Sequence, residues 1–147
     1  MLVPIELESR IISFRTDLQV MVVRWHTHAS LEVVQADYAR MLRGAVEAGM
    51  NHWLLDVRRR EKVAVELSAW VTNSFYPEAV ARLAPTRLRM AVLSSPALFE
   101  VYRSDAEHKK YVAYAVDRER PYDIGLFHDE GEAMQWLCAP DSTLDRL

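Results

Sequence analysis

The chain has only four glycines and a single cysteine among its 147 residues. The glycines form neither the Gly-x-Gly-x-x-Gly pattern nor the P-loop pattern, which excludes the two commonest phosphate-binding loops. No serine stands in a Gly-x-Ser-x-Gly elbow, so we do not expect a serine hydrolase. The lone Cys138 excludes a disulfide framework and a zinc site of several thiolates, and its apolar neighbours predict a place in the core.

An excess of positive charge and a long apolar run are also missing. Lysine and arginine total 18 against 21 aspartates and glutamates, so binding to nucleic acid by charge alone is not expected. No apolar run reaches the roughly 18 residues of a membrane span. The first residues lack the basic and apolar regions of a signal peptide. We therefore expect a cytoplasmic protein without a membrane span.

Half of the residues are apolar, enough for one packed domain, and their spacing alternates between strand and helix patterns. Five strands are predicted, at 11–15, 18–25, 53–57, 87–93 and 123–127. Four helices are predicted, at 30–49, 67–83 with a kink or restart at Pro77, 96–115, and from Asp129 onwards. This order predicts an α/β fold with a mixed, mainly parallel sheet of four to five strands and about four helices. One domain over 1–140 and a frayed tail over 141–147 are expected.

A set of mostly apolar positions on these elements carries a resemblance. They are Trp25, Leu54–Arg58, Trp70, Phe75, Pro77, Ala91–Val92, Phe127, Ala133 and Trp136–Leu137. In this pattern the chain resembles STAS-like proteins, which share the fold of the sporulation anti-anti-sigma factor, and more narrowly the small stand-alone bacterial members without assigned activity. The resemblance implies a non-enzymatic regulatory or scaffolding module of bacterial signalling, which needs no cofactor and acts through protein–protein contact.

The phosphorylated members of that family place an Asp-Ser-Ser-Gly turn after the central strand. Asp56 of this chain matches the aspartate that ends that strand, but the Ser-Ser-Gly part is absent. Ser68 is the nearest serine. It is either a phosphoacceptor or, more simply, a hydroxyl at a helix start that accepts from a backbone N–H. Asp56 itself is either a ligand-binding group beyond a parallel strand or a structural partner of Arg58.

The densest positive charge follows that strand, as Arg58, Arg59 and Arg60. These arginines are candidates for a polar contact loop that receives an acidic partner, a phosphate or an anionic headgroup. The alternative is a loop that is simply solvated.

Two further sites are considered as alternatives. Trp70, Phe75 and Tyr76, together with Asp56, are candidates for a pocket that binds a small molecule or lipid near the kinked second helix. His26, His28 and His52 are candidate ligands of a metal-dependent enzyme. The alternative is that His26 and His28 are solvated loop residues, because two histidines leave the coordination shell of a metal incomplete.

Aromatic residues also mark the third predicted helix. Tyr102, Tyr111 and Tyr114 occupy more than one of its faces, near Leu98, Phe99 and Val101. This predicts a homodimer contact through the helix, unless the tyrosines only cover the sheet. The four tryptophans fall on strand ends and apolar stripes, so we expect them to pack in the core.

Overall fold

A computed structural model describes residues 3–60, 65–104 and 120–139 of the chain. The strands are β1 Ile5–Glu6, β2 Arg10–Arg15, β3 Val20–Trp25, β4 His52–Asp56, β5 Leu88–Leu93 and β6 Tyr122–Phe127. The helices are α1 Leu31–Ala48, α2 Val65–Trp70, a π-helical segment Val71–Phe75, α3 Tyr76–Leu83, α4 Pro96–Ser104 and α5 Glu130–Cys138. No described helix is long and apolar enough to cross a membrane.

The strands form one sheet in sequence order, from β1 to β6. β1, β2 and β3 pair antiparallel, while β3, β4, β5 and β6 pair parallel. This confirms the predicted α/β class with a mixed, mainly parallel sheet. The predicted number of four to five strands is wrong for the described residues, because the two-residue strand β1 is too short to show a periodic pattern.

Local sequence signals set the ends of α1. The Ser30 hydroxyl accepts a hydrogen bond from the Val33 backbone N–H at 3.4 Å, as expected of an N-cap. Gly49 ends the helix at φ 68°, where glycine avoids the strain that a side chain brings, and its N–H reaches the carbonyls of Ala45 and Val46. The predicted bounds of this helix are therefore confirmed.

The predicted kink or restart at Pro77 coincides with a π-helical segment before it and a new helix, α3, that has Pro77 in its first turn. Within the π-helical segment the Tyr76 N–H donates to the Val71 carbonyl, five residues back. Pro77 has no N–H and its ring crowds the preceding turn of a regular α-helix. The wider π turn accommodates the ring, and α3 continues beyond it with proline in its first turn.

Helices cover both faces of the sheet. Alternation along the strands places Met21, Trp53 and Met90 on the face that α1, the π-helical segment and α3 cover. Val22, Leu54 and Ala91 are one residue further along their strands and face α5, together with its Ala133 and Leu137. The register thus determines which side chains reach each helix layer.

The tryptophans and the cysteine test the core predictions. Trp25 and Trp53 are buried, which confirms the prediction for these two, whereas Trp70 and Trp136 are half-buried. Cys138 is exposed, so its predicted place in the core is wrong. Leu137 takes the inward position at the end of α5, and the next residue turns toward solvent.

Part of the homodimer prediction lies outside the described residues, as do Tyr111, Tyr114 and the predicted tail 141–147. In the described part of that helix, α4, Leu98 is buried and Phe99 is half-buried. Val101 is 38% exposed. A contact through this helix therefore stays a prediction.

Candidate functional site

A cleft of about 500 Å³ opens where β3 and β4 end and α5 begins. It is lined by Ile11, Arg24, Trp25, His26, Asp56, Arg58, Arg59 and Glu130. The carboxyl ends of parallel strands are the usual binding edge of an open α/β sheet. Five of the eight lining residues are charged, so the cleft brings charged side chains to this edge of the sheet.

Asp56 is at the centre of the charged residues. It lies opposite Arg24 in the β3–β4 register, and its side chain is 9% exposed. Oδ1 accepts from the backbone N–H and from Nε of Arg58, both at 3.0 Å. Oδ2 accepts from Arg58 Nη2 and from Arg24 Nη1, both at 2.8 Å. The carboxylate therefore fixes both arginines relative to the strand ends.

Glu130 completes the group from the first turn of α5. Asp129 caps this helix by accepting from the Glu132 N–H at 2.9 Å, which places Glu130 directly beside the strand ends. Glu130 Oε1 accepts from Arg24 Nη1 at 2.9 Å and from Arg58 Nη2 at 3.2 Å, and Oε2 lies 3.4 Å from Arg24 Nη2. Two guanidinium groups thus lie between two carboxylates.

Both carboxylates are held in the ionised form. Burial pushes the pKa of Asp56 upward, but hydrogen bonds from Arg58 and Arg24 outweigh it and hold that pKa below its usual range. The hydrogen bond from Arg24 is the largest cause that holds the pKa of Glu130 low. Because both groups are charged at neutral pH, they are suited to recognising charge rather than to donating a proton.

The predicted contact loop is divided by the structure. Arg58 is in the ion-pair network, Arg59 is exposed at the cleft, and Arg60 turns to the opposite side. The Arg60 side chain is buried, with Cζ 4.5 Å from the centre of the Trp25 ring. A solvated loop is therefore the wrong reading for Arg60, because a tryptophan on a neighbouring strand covers it.

Arg60 belongs to a second cluster on the other face of the sheet edge. Arg10 is also buried, with Cζ 5.3 Å from the Trp25 ring centre and 4.3 Å from that of Tyr38. Burial pushes the pKa of Tyr38 upward, but the charges of Arg10 and Arg60 outweigh it and lower the pKa. Ser9 Oγ accepts from Arg10 Nε at 3.1 Å.

The three candidate metal ligands do not come together. His52 begins β4 beside Val20, whereas His26 follows the end of β3 six residues later, so about 20 Å of strand separates them. His26 Nε2 lies 2.9 Å from the Leu7 carbonyl oxygen, which identifies Nε2 as the protonated ring nitrogen, and His28 is exposed. Among the described residues, no group of three or more histidine, cysteine or acidic side chains is placed to hold a metal.

The aromatic residues of the kinked helix pack among themselves rather than along the cleft. Phe75 and Tyr76 are buried, and Phe75 lies 5.9 Å from Trp70 and 4.7 Å from Tyr38, measured between ring centres. Asp56 lines the cleft without them. The structure therefore places Asp56 apart from Trp70, Phe75 and Tyr76, the three aromatic residues of the predicted pocket.

Ser68 lies inside α2 and is half-buried. It does not line the cleft. The reading of its hydroxyl as a cap at the start of a helix is therefore wrong, since three helical residues of α2 precede it.

Two cleft residues, Arg24 and Glu130, escaped the sequence analysis. Arg24 is a charged residue between Val23 and Trp25 on an otherwise apolar strand, which is the one signal that marked it. Glu130 follows a recognisable cap residue, but only the packing of α5 against the sheet brings it to the strand ends. The strand register places Arg24 at the cleft, and the packing of α5 places Glu130 there.

No family model, no curated protein and no solved structure matches the chain.

Proposed function

We propose that the chain is a non-enzymatic recognition module, regulatory or scaffolding in role, which contacts a protein partner through the cleft around Asp56. The observation that carries this proposal is the exposed pair of arginines at the cleft. The side chains of Arg24 and Arg58 are 43% and 44% exposed although both are held in position by Asp56. Charged groups that are both fixed and exposed are suited to select a partner of complementary charge.

The position of the third arginine supports the same function. Arg59 lines the cleft and is exposed, and it forms no ion pair with the described residues. Arg59 shares the lining of the cleft with the apolar side chain of Ile11. An apolar centre with charged residues around it is a common composition of protein interfaces.

The chemistry of the cleft favours binding over catalysis. Its two carboxylates are each held ionised by arginine, and neither has the raised pKa that a general acid needs at neutral pH. The resemblance to STAS-like proteins implies the same kind of role, a protein contact without a reaction.

Affinity capture with three forms of the chain tests this function. The wild type, Arg59→Glu and the control Arg82→Glu are each incubated with lysate of the source organism, and the retained proteins are quantified by mass spectrometry. Arg82 is exposed on α3, so its variant carries the same charge change at a different surface. We expect one partner to be retained by the wild type and the control, and its recovery to fall roughly tenfold with Arg59→Glu.

Equal recovery of every retained protein by all three forms would contradict a partner site at the cleft. Circular dichroism of each form establishes that the variants are folded before the capture is compared.

A second function is supported by the volume of the cleft. About 500 Å³ lies within the range of small-molecule sites, which is roughly 300–1,000 Å³. In this function the small-molecule pocket predicted at the kinked helix is replaced by a site for a small anion with an apolar part, at Arg58 and Ile11 of the cleft. Native mass spectrometry of the purified chain tests this, since a retained small molecule that Arg59→Glu releases is the expected result.

A further inference from the structure

The two carboxylates of the cleft differ in how firmly they are held. Asp56 is 9% exposed and accepts four hydrogen bonds, one of them from the backbone N–H of Arg58. Glu130 is 39% exposed, and its contacts within the described residues come only from the arginine side chains, at 2.9, 3.2 and 3.4 Å. Asp56 is therefore an anchor, whereas Glu130 is bound as a surface ion pair.

Surface ion pairs contribute little to stability, because water replaces each partner at small cost. Loss of Glu130 from the pair leaves the positions of Arg24 and Arg58 fixed, since both also bind Asp56 Oδ2 at 2.8 Å. The pair then forms a fork of two guanidinium groups, open at the cleft. Nη1 and Nη2 of Arg24 form the parallel N–H pair that Oε1 and Oε2 of Glu130 occupy, and Arg58 Nη2 adds a third donor, so the same fork can bind another carboxylate.

We propose that Glu130 occupies the binding position for an acidic side chain of the protein partner, and that the partner's carboxylate displaces it from Arg24 and Arg58. This inference rests on the proposed function and names the chemistry of its partner. The present occupant is itself a carboxylate, which is the reason for assigning an aspartate or glutamate to the partner.

The charge of the cleft supports displacement by an anion. Arg24, Arg58 and Arg59 stand against Asp56 and Glu130, so the charged lining carries one excess positive charge. When Glu130 leaves, the excess becomes two, and an incoming carboxylate restores the balance. Ile11, which lies opposite Arg24 on β2, provides a surface beside the fork for an apolar residue next to the acidic one.

The proposal predicts competition within the chain. A tethered carboxylate competes with the partner at an effective concentration in the millimolar range. Glu130→Gln keeps the shape of the side chain but removes its charge, so the competitor is weakened while the fork remains. Because the surface ion pair is weak, we expect Glu130→Gln to bind acidic peptides about threefold to fivefold more tightly than the wild type.

The test is an NMR titration with a short capped peptide of alternating glutamate and leucine. Signals of the Arg24 and Arg58 Nε–H groups and of the Ile11 methyl groups report binding at the fork. A peptide with glutamine in place of glutamate is the matched ligand control. Arg58→Gln and Arg82→Gln, each combined with Glu130→Gln, are the matched protein variants.

We expect the glutamate peptide to bind Glu130→Gln more tightly than the wild type, and the glutamine peptide to shift no signal of the fork. Arg58→Gln should abolish the gain, whereas Arg82→Gln should keep it. Equal affinity of the wild type and Glu130→Gln would overturn the proposal. Equal affinity for the glutamate and glutamine peptides would also overturn it. Tighter binding of inorganic phosphate than of the glutamate peptide to Glu130→Gln would do the same.

The comparison of the wild type with Glu130→Gln is decisive even if Arg58→Gln does not fold, because it changes only an exposed side chain. Failure of the proposal that Glu130 is displaced can be distinguished from failure of the proposed function. If capture of a partner depends on Arg59 while Glu130→Gln gains no affinity, the cleft binds a partner and Glu130 is structural. If capture is the same in all forms, the cleft is not the partner site.

Discussion

Arg24 and Asp56 lie opposite each other on the parallel strands β3 and β4, and Arg24 Nη1 donates to Asp56 Oδ2 at 2.8 Å. Both side chains alternate onto the face that α5 covers, since Val22 and Leu54 precede them on that face. The first turn of α5 brings Glu130 to the same point. The ion-pair network of the cleft is thus a consequence of strand register and of one capped helix.

The unequal roles of the two carboxylates lead to a stability prediction. Asp56→Asn removes the charge that fixes two guanidinium groups, and we expect the free energy of unfolding to fall by about 2 kcal/mol. Glu130→Gln breaks only exposed contacts and should change it by less than about 1 kcal/mol. Urea denaturation at neutral pH measures both. Equal losses would show that the two carboxylates are held alike.

The network also predicts a loss of stability in acid. The pKa values of Asp56 and Glu130 are lowered in the folded chain by their arginine partners. Their contribution is fully present above the unfolded pKa values, near pH 4, and is lost as the pH falls through the lower folded values. Unfolding by urea at a series of pH values below about 5 should therefore show a declining stability.

Asp56→Asn should flatten this decline, because one of the titrating groups is gone. Asp17→Asn is the matched control. Arg15 also lowers the pKa of Asp17, but this pair lies on the surface, where the Asp17 side chain is 63% exposed and solvent screens it, so Asp17→Asn should flatten the decline less than Asp56→Asn does. A steeper effect of Asp17→Asn than of Asp56→Asn would reject the cleft as the source of acid sensitivity.

The helices and the longer strands were predictable because their signals are local. Ser30 and Gly49 bound α1, Asp129 caps α5, and Pro77 marks the change of pitch. Asp56 was predictable as a site residue because it ends a buried strand. Each of these inferences needs only the neighbours of a residue along the chain.

The partners of Asp56 were less predictable, because they depend on contacts between distant segments. Arg24 is 32 positions away and Glu130 interacts with Arg24 across 106 positions. The burial of Arg60 likewise depends on Trp25 of a different strand. A run of three arginines looks uniform in sequence, yet the loop sends successive side chains to different faces.

Two glycines give a paired prediction about packing. A Cβ on Gly125 would lie 2.8 Å from Cε2 of Phe127, so Gly125→Ala should lower the free energy of unfolding by about 1–3 kcal/mol. A Cβ on Gly44, inside α1, meets Phe14 Cζ at an ordinary 3.4 Å. Because alanine favours a helix interior, Gly44→Ala should raise the stability by up to about 1 kcal/mol. Urea denaturation compares the two, and the opposite order would refute the packing on β6.

The cluster of Arg10, Arg60 and Tyr38 predicts an unusual tyrosine. Burial pushes the pKa of Tyr38 upward, but the two guanidinium charges outweigh it, so Tyr38 should ionise below the ordinary value near 10. The near-ultraviolet absorbance of tyrosinate, followed against pH, should show one of the six tyrosines ionising ahead of the rest. Tyr38→Phe should remove this first step, whereas Tyr76→Phe should keep it.

The lowered pKa of Tyr38 also makes the free energy of unfolding depend on pH. The folded chain releases the Tyr38 proton more readily than the unfolded chain does, so the wild type should gain stability over Tyr38→Phe as the pH rises through the folded pKa. The gain is complete above the unfolded value near 10. Urea denaturation of both forms between neutral pH and about pH 10 measures this difference. A difference that stays constant with pH, together with an unchanged first step in Tyr38→Phe, would show that the arginines do not stabilise a tyrosinate at this position.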